Sequence, residues 1–491
     1  MPTFSECAPF DGAQIFGGLR FIGFSGVSGD LIFRRCHLHD ISLYPFYFRG
    51  KNLILESNFI ENCNGLYLTF NSSDINATIK HNTLVNTPLL DGRTNVSYNN
   101  VIIKNNILYG TAPTIRLNNI EGSWECSHNL QYNTAPSVPR RAADYPVIKI
   151  NGTGNNVQEF VQNSYYFDPD FTTLPQLNPS SYAIGRAEPN EVRYAYNHGG
   201  VGADLFDAAL PTIGCWSPVT GSKRSIDSSQ NKIALVGDSI TYGTGVSASD
   251  CYAGRLENSI LDHVFIKMPG DPSRHLGIPG IWSDAAHFLA QEFAIAEEVE
   301  KVSLFIGVND LAYGESVGKV AHQIIQSLRI LKDLGVDNIL YPGTPIMNPD
   351  MTSYDASISV EDVVSAYCKT NAIRYAKMSS RFVKINFLSN QAEPLYDLLE
   401  THPNSNGHEV IADYLQPLLI SKYILVEDNE MLQDLTDDGS QGSYDYGLVV
   451  QGDNTVLDNI DLSSFPAADI LIQGDNPVLI NINPGANIQY Y

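Results

Sequence analysis

Short runs of alternating apolar and polar residues recur through the first third of the chain. Leu31-Ile-Phe-Arg-Arg-Cys36-His-Leu38 is echoed by Leu53-Ile-Leu-Glu-Ser-Asn58-Phe-Ile60, Ala77-Thr-Ile-Lys-His-Asn82-Thr-Leu84 and Val101-Ile-Ile-Lys-Asn-Asn106-Ile-Leu108. A weaker copy is Ser123-Trp-Glu-Cys-Ser-His-Asn129-Leu130. With Cys36, Asn58, Asn82, Asn106 and Asn129 taken as equivalent, the steps are 22, 24, 24 and 23 residues. Each copy is a short strand, a polar corner, a second apolar pair and a connection rich in Gly, Asn, Ser and Asp. That period suits one turn of a right-handed parallel β-helix over residues 1–215, with corner asparagines stacked into a hydrogen-bonded ladder. A leucine-rich repeat has a similar period but expects a leucine framework and a helical return, which these connections do not supply.

Residues 216–231 are polar and turn-rich and read as a linker. From Lys232 the pattern changes. Ile233–Val236, Val302–Ile306, Asn338–Tyr341 and Phe382–Ile385 are short apolar strands, and Ser283–Val299, Val317–Leu334 and Val360–Met378 carry helical spacing. This βαβ alternation over 232–425 predicts a parallel sheet covered by helices. An acidic linker over 426–445 follows, then a segment at 446–491 in which Leu448-Val-Val-Gln-Gly-Asp-Asn454 returns as Ile470-Leu-Ile-Gln-Gly-Asp-Asn476. Two coils cannot bury their own ends, so this segment is expected to stack on something, such as equivalent tails in an oligomer.

Composition narrows the functions. The 491 residues hold 54 Asp and Glu against 30 Lys and Arg, a formal charge of −24, which argues against binding nucleic acid or an anionic membrane. After Lys422 there are twelve acidic residues and no Lys or Arg. No apolar run approaches the ~18 residues of a membrane span, and residues 1–30 lack the pattern of a signal peptide. Seven cysteines scattered from Cys7 to Cys368 form neither a disulfide framework nor zinc knuckles. His37 and His39 alternate along a strand without a third ligand, so no metal site is expected. The serine chemistry read below requires no cofactor.

Four blocks in the βαβ section carry chemistry. Val236-Gly-Asp-Ser239-Ile-Thr-Tyr-Gly243 follows a strand directly, where open α/β sheets bind their ligands. Leu276-Gly-Ile-Pro-Gly280, Phe305-Ile-Gly-Val-Asn309-Asp310 and Glu400-Thr-His402-Pro-Asn-Ser-Asn-Gly-His408 complete the set. In this order the blocks resemble the SGNH (GDSL-like) hydrolases, esterases and deacetylases built on a flavodoxin-like sheet. The resemblance covers about 232–425. It implies Ser239 as nucleophile and His402 as general base. The implied oxyanion hole comprises the Ser239 and Gly280 backbone N–H groups and the Asn309 side-chain amide. The family places an Asp three residues before its histidine, and here that position is Leu399. Glu400 is the preferred orienting acid, with Asp397, or a Ser-His dyad held by a backbone carbonyl, as open alternatives. Asp238 and Asp310 read as loop hydrogen-bonding groups, and His408 as structural.

Residues 145–210 resemble the closing segment of pectate-lyase-like β-helices. A β-helix joined to such a hydrolase and a β-rich end resembles bacteriophage tailspikes that process capsule or O-antigen. That resemblance implies a homotrimer on the virion tail, outside the cell, acting on a bacterial surface glycan and attached to other tail or baseplate proteins. The expected function is therefore a serine-dependent carbohydrate O-deacetylase. Three alternatives stand beside it. One is a non-catalytic glycan-binding spike, favoured by Leu399. Another is a glycosidase or lyase on the solenoid, drawing on Glu56, Glu61, Asp74 or Asp91, with the aromatic run Tyr44–Phe48 stacking on sugars. The last is a secreted bacterial acetylesterase.

Overall fold

A computed structural model describes residues 10–11, 14–16, 30–41, 46–48, 51–63, 66–70, 74–91, 97–111, 115–134, 148–152, 157–158, 164–188, 212–215, 223–336, 338–344, 353–378, 402–420, 424–426, 431–433, 448–450, 455–458, 469–472, 477–480, 482 and 487–490. They form two compact units that do not follow chain order. One comprises residues 1–230 with 280–300 and 322–337, and the other comprises 231–279, 301–321 and 338–491.

The first unit is dominated by two sheets whose strands alternate along the chain. Leu31–Arg34, Asn52–Glu56, Ile75–Lys80, Tyr98–Lys104 and Ile115–Ser127 are successive neighbours in one. His37–His39, Phe59–Glu61, Thr83–Val85, Ile107–Gly110 and Asn129–Asn133 are successive neighbours in the other. These pairings are parallel and keep the sequence repeat in register: Leu31 lies beside Leu53, Leu53 beside Ala77, and Ala77 beside Val101. These residues form a buried column, and Phe33, Leu55, Ile79 and Ile103 form another. Burial of each large side chain is worth about 1.5–3 kcal/mol.

Between the two strands of each repeat the chain turns through a left-handed residue: Arg35, Ser57, His81, Asn105 and His128 have φ of 52–58°. Such angles are uncommon outside glycine. Stacking compensates, since Ser57 N–H donates to Lys80 O at 3.0 Å and His81 N–H to Lys104 O at 3.0 Å. The next residue builds the ladder. Asn58, Asn82 and Asn106 are fully buried, and each donates its backbone N–H at 3.0 Å to the side-chain oxygen of the following asparagine. Cys36 stands at the start of the column, where its N–H donates to Asn58 Oδ1 at 3.0 Å.

The same unit takes in the Ser283–Ala296 helix and the C-terminal part of the Val317–Leu334 helix. Tyr166 N–H donates to Gln291 Oε1 at 2.9 Å, and its ring lies 4.7 Å from Phe288. Arg186, fully buried, donates from Nε to Asp333 Oδ2 at 3.1 Å and to the carbonyls of Tyr182, Arg224 and Asp333 at 2.8, 2.7 and 3.1 Å.

In the second unit a parallel sheet has the spatial order Asp271–Gly277, Lys232–Gly237, Lys301–Phe305, Asn338–Tyr341, Arg374–Tyr375. Taken along the chain this is the order 2-1-3-4-5 of flavodoxin-like sheets, whose switch point lies between the first and third strands. The Tyr252–Ser259 and Ser405–Ile420 helices pack together, contributing Tyr252, Leu256, Ile411 and Leu415 to a core shared with Ile233, Leu235 and Phe305. The end of the chain pairs Leu448 with Ile470 and Val456 with Val478 in two small parallel sheets.

One expectation needs correction, and one strand was not foreseen. The helix predicted over Val360–Met378 runs from Tyr354 to Thr370, because Ala372 turns left-handed at φ 53° and the chain enters the edge strand Arg374–Tyr375. The Asp271–Gly277 strand has no apolar alternation, and its parallel pairing with the central strand is confined to Leu276 and Gly277. The predicted strand at Phe382–Ile385 lies outside the described residues. Among the described residues no helix is long and apolar enough to cross a membrane.

Candidate active site

The central strand ends at Gly237, and the chain turns at once into a short helix, Ser239–Tyr242. Glycine is required at the turn. A Cβ on Gly237 would lie 2.0 Å from Thr241 Oγ1 and 2.5 Å from Phe305 O. Asp238 caps the helix, its Oδ1 accepting the Ile240 N–H at 2.9 Å. Gly243, left-handed at φ 80°, ends it, and Gly243 N–H and Thr244 N–H both donate to Ser239 O, at 3.0 and 2.9 Å. Ser239 is thus held by backbone bonds at the sheet's switch point, with its side chain nearly buried.

His402 reaches the same point from the far end of the chain. Its Nε2 lies 2.8 Å from Ser239 Oγ, across 163 residues of sequence. It precedes Pro403 and Asn404, whose Oδ1 accepts the Gly407 N–H at 3.0 Å and so caps the Ser405–Ile420 helix. That helix is tied to its neighbour twice: Arg255 donates to Ser405 Oγ at 3.1 Å, and Tyr252 N–H donates to His408 Nδ1 at 3.2 Å. The Tyr252 hydroxyl in turn bonds Thr241 Oγ1 at 2.8 Å. A chain of contacts therefore runs from the helix bearing the serine to the helix that follows the histidine. His408 is fully buried, and burial lowers its pKa to about 4, so it serves as a neutral acceptor. Tyr252 was not singled out in the sequence, since the Tyr252–Ser259 helix carries no motif, and Thr241 entered there only as part of the block around Ser239.

Burial, helped by the charge of Asp310, pushes the Asp238 carboxyl up to about 7. Its Oδ2 is buried without a hydrogen-bond partner. Asn309 sits in the Val308–Ala312 helix, which Gly307 starts at φ 118° directly after the strand paired with the serine's own; Gly237 lies beside Phe305 in that register. Gly280 is left-handed at φ 80° and belongs to the first unit. Glu400, Asp397 and Leu399 lie outside the described residues.

Elsewhere, His37 is paired with Glu61 at 2.8 Å and His39 with Asp40 at 3.0 Å. Among the described residues no group of three His, Cys, Asp or Glu is arranged to hold a metal ion.

The imidazole at 2.8 Å can take the serine proton as Oγ attacks a carbonyl carbon. Residues 235–410 match the profile of the GDSL-like Lipase/Acylhydrolase family. Similar solved structures include a lipolytic protein of the G-D-S-L family from Veillonella parvula, 19% identical with a TM-score of 0.31, covering 38% of this chain and 95% of that one. An acetylxylan esterase from Geobacillus stearothermophilus is 16% identical with a TM-score of 0.32, covering 39% of this chain and 96% of its own. The esterase EstA from Pseudoalteromonas is 18% identical with a TM-score of 0.29, covering 38% and 94%. No curated protein matches the chain. Residues 235–410 form a GDSL-like acylhydrolase domain, and the chain is a serine hydrolase.

Proposed function

We propose that the chain is a carbohydrate O-deacetylase acting on acetylated bacterial surface polysaccharide through Ser239 and His402. The observation that carries the reading is the 2.8 Å contact between His402 Nε2 and Ser239 Oγ. Ser239 Oγ forms a bond to the ester carbonyl carbon while His402 takes its proton. The carbonyl π electrons move to oxygen, where the Ser239 N–H, the Gly280 N–H and the Asn309 amide receive the charge. Each such donor is typically worth about 3 kcal/mol of barrier. Collapse expels the sugar alkoxide, which takes the proton from His402 and leaves an acetyl-serine. Water, deprotonated by His402, attacks this ester and releases acetate and free Ser239. Glu400 is the preferred acid for orienting His402, with Asp397, or a Ser-His dyad held by a backbone carbonyl, as its alternatives.

In this reading the two parallel sheets of the first unit are faces of a right-handed β-helix, and the chain serves as a homotrimeric tailspike on a virion, held by other tail or baseplate proteins. The stacked repeats support it, because they offer a regular surface to a repeating glycan. A glycosidase site on the same sheets gains less support: Glu56 is paired with Arg34 at 2.9 Å and Glu61 with His37 at 2.8 Å.

The test is acetate release from O-acetylated capsule or O-antigen and from a chromogenic acetate ester. The parent chain should release acetate from both, and Ser239→Ala should lower the rate by at least ~10³-fold. Full activity in Ser239→Ala would overturn the mechanism. Hydrolysis of the small ester with none from any acetylated polysaccharide would overturn the substrate. Light scattering that finds a monomer would overturn the trimer.

A further inference from the structure

Ser239 and His402 come from distant segments, so their separation depends on what holds the two helices beside them. The Ser239–Tyr242 helix is a single turn, too short to fix its own orientation. The Tyr252–Ser259 helix meets both it and the Ser405–Ile420 helix that follows His402, and all of these residues belong to the second unit. One residue bonds to both neighbours. The Tyr252 hydroxyl bonds Thr241 Oγ1 at 2.8 Å, and Tyr252 N–H donates to His408 Nδ1 at 3.2 Å.

The second bond follows from the way the helix begins. Tyr252 is its first residue after the Cys251 cap, and a first-turn N–H has no acceptor within its own helix. Cys251 Sγ takes the Gly254 N–H, so Tyr252 needs an acceptor from elsewhere. His408 supplies it. An imidazole that accepts at Nδ1 keeps its proton on Nε2, and among the described residues that buried Nε2 has no hydrogen-bond partner. Leaving such a group unsatisfied costs stability, so the position favours histidine only through what Nδ1 and the ring do. They bond Tyr252 N–H and stack on the Tyr252 ring, with centroids 6.2 Å apart and planes 12° from parallel.

Water cannot replace either bond. Tyr252, Thr241 and His408 are fully buried. Burial holds the Tyr252 phenol well above its ordinary pKa, so the hydroxyl keeps its proton. Phe305 packs edge-on against the same ring at 5.8 Å, and Thr241 Oγ1 is confined on its other side by the backbone at Gly237. Arg255 also links the two longer helices, through Ser405 Oγ at 3.1 Å and Glu409 at 3.6 Å, but it is part-exposed and solvent can substitute for its bonds.

We propose that Tyr252 is a positioning residue of the hydrolase, its hydroxyl and backbone N–H together holding the nucleophile's helix and the base's helix at the separation that sets His402 Nε2 2.8 Å from Ser239 Oγ. This role rests on the Ser239–His402 mechanism and adds a residue that bonds to neither reacting atom. A misplacement of about 1 Å can cost ~10²-fold in rate, and the smaller shift from losing one bond of the brace should cost about tenfold.

Steady-state hydrolysis of p-nitrophenyl acetate by the full chain tests it, with melting temperatures recorded so that rates are compared on folded protein. Tyr252→Phe should lower kcat and kcat/KM together by about tenfold, with KM within about twofold of the parent. Thr241→Val should do the same. Both remove one and the same bond, so the double variant should match the slower single variant within about twofold. Thr241→Ser restores a hydroxyl and should regain most of the rate that Thr241→Val loses. His408→Phe keeps a ring against Tyr252 but removes the acceptor, and should also lower kcat about tenfold; it tests the brace from its other end should Tyr252→Phe fail to fold. A lowered melting temperature with unchanged kcat, a raised KM in place of the lowered kcat, or losses that multiply in the double variant would each overturn the role of Tyr252 alone. A parent chain that does not hydrolyse the ester would overturn the Ser239–His402 mechanism, and this role with it.

Discussion

Asp238→Asn isolates the electrostatic cost of the residue beside the nucleophile. The carboxyl is fully buried, its Oδ1 caps the helix at 2.9 Å from Ile240 N, and its Oδ2 has no partner. Burial and the charge of Asp310 raise its pKa from the ordinary 3.8 to about 7. Between those limits the folded chain holds a proton that the unfolded chain has released. Stability therefore falls as pH rises through this window, by about 1.4 kcal/mol per pH unit, and levels off above pH 7. Over the whole window the loss is roughly 4 kcal/mol. Asparagine keeps the capping oxygen and does not titrate, so the variant should gain on the parent by that amount. Guanidinium unfolding at pH 4.5, 6 and 8, followed by circular dichroism, measures the difference. A difference between variant and parent that stays constant within about 1 kcal/mol across these pH values would refute the reasoning.

Three further substitutions probe the frame around the site. Arg186→Met leaves Asp333 and the carbonyls of Tyr182 and Arg224 without their buried donor, and should cost about 3–5 kcal/mol in denaturant unfolding. Asn82→Ala removes an oxygen that accepts from the Asn58 N–H and an amide that donates to Leu55 O and Asn106 Oδ1; at ~1–3 kcal/mol per orphaned group it should cost about 3 kcal/mol or more. Gly237→Ala drives a methyl into Thr241 and the Phe305 carbonyl, and should lose about 1–3 kcal/mol together with esterase rate, read by melting temperature and ester hydrolysis.

The parts of the fold visible in the sequence are those in which side-chain type repeats or chemistry demands it. The corner asparagines announce themselves because each must satisfy the backbone of the neighbouring repeat. Ser239, Asn309 and His402 stand out because their blocks adjoin strand and helix ends, and the structure brings the first and last together. The Asp271–Gly277 strand was hidden, since Asp-Pro-Ser-Arg-His reads as a turn and little of it pairs with the central strand. The assignment of two hydrolase-section helix segments to the first unit was equally hidden. It depends on single long-range contacts, Tyr166 to Gln291 and Arg186 to Asp333, that leave no local pattern. The candidate orienting acids Glu400 and Asp397 lie outside the described residues, and no spacing rule replaces the missing aspartate at Leu399.

The central claim is that His402 activates Ser239. A fluorophosphonate ester tests it most directly, because Oγ must attack phosphorus and expel fluoride while the imidazole takes the proton. Peptide mass spectrometry of the treated chain should find the adduct on Ser239 in the parent, with labelling slowed at least ~10²-fold in His402→Ala. An adduct on another residue, or equal labelling rates in parent and His402→Ala, would contradict it.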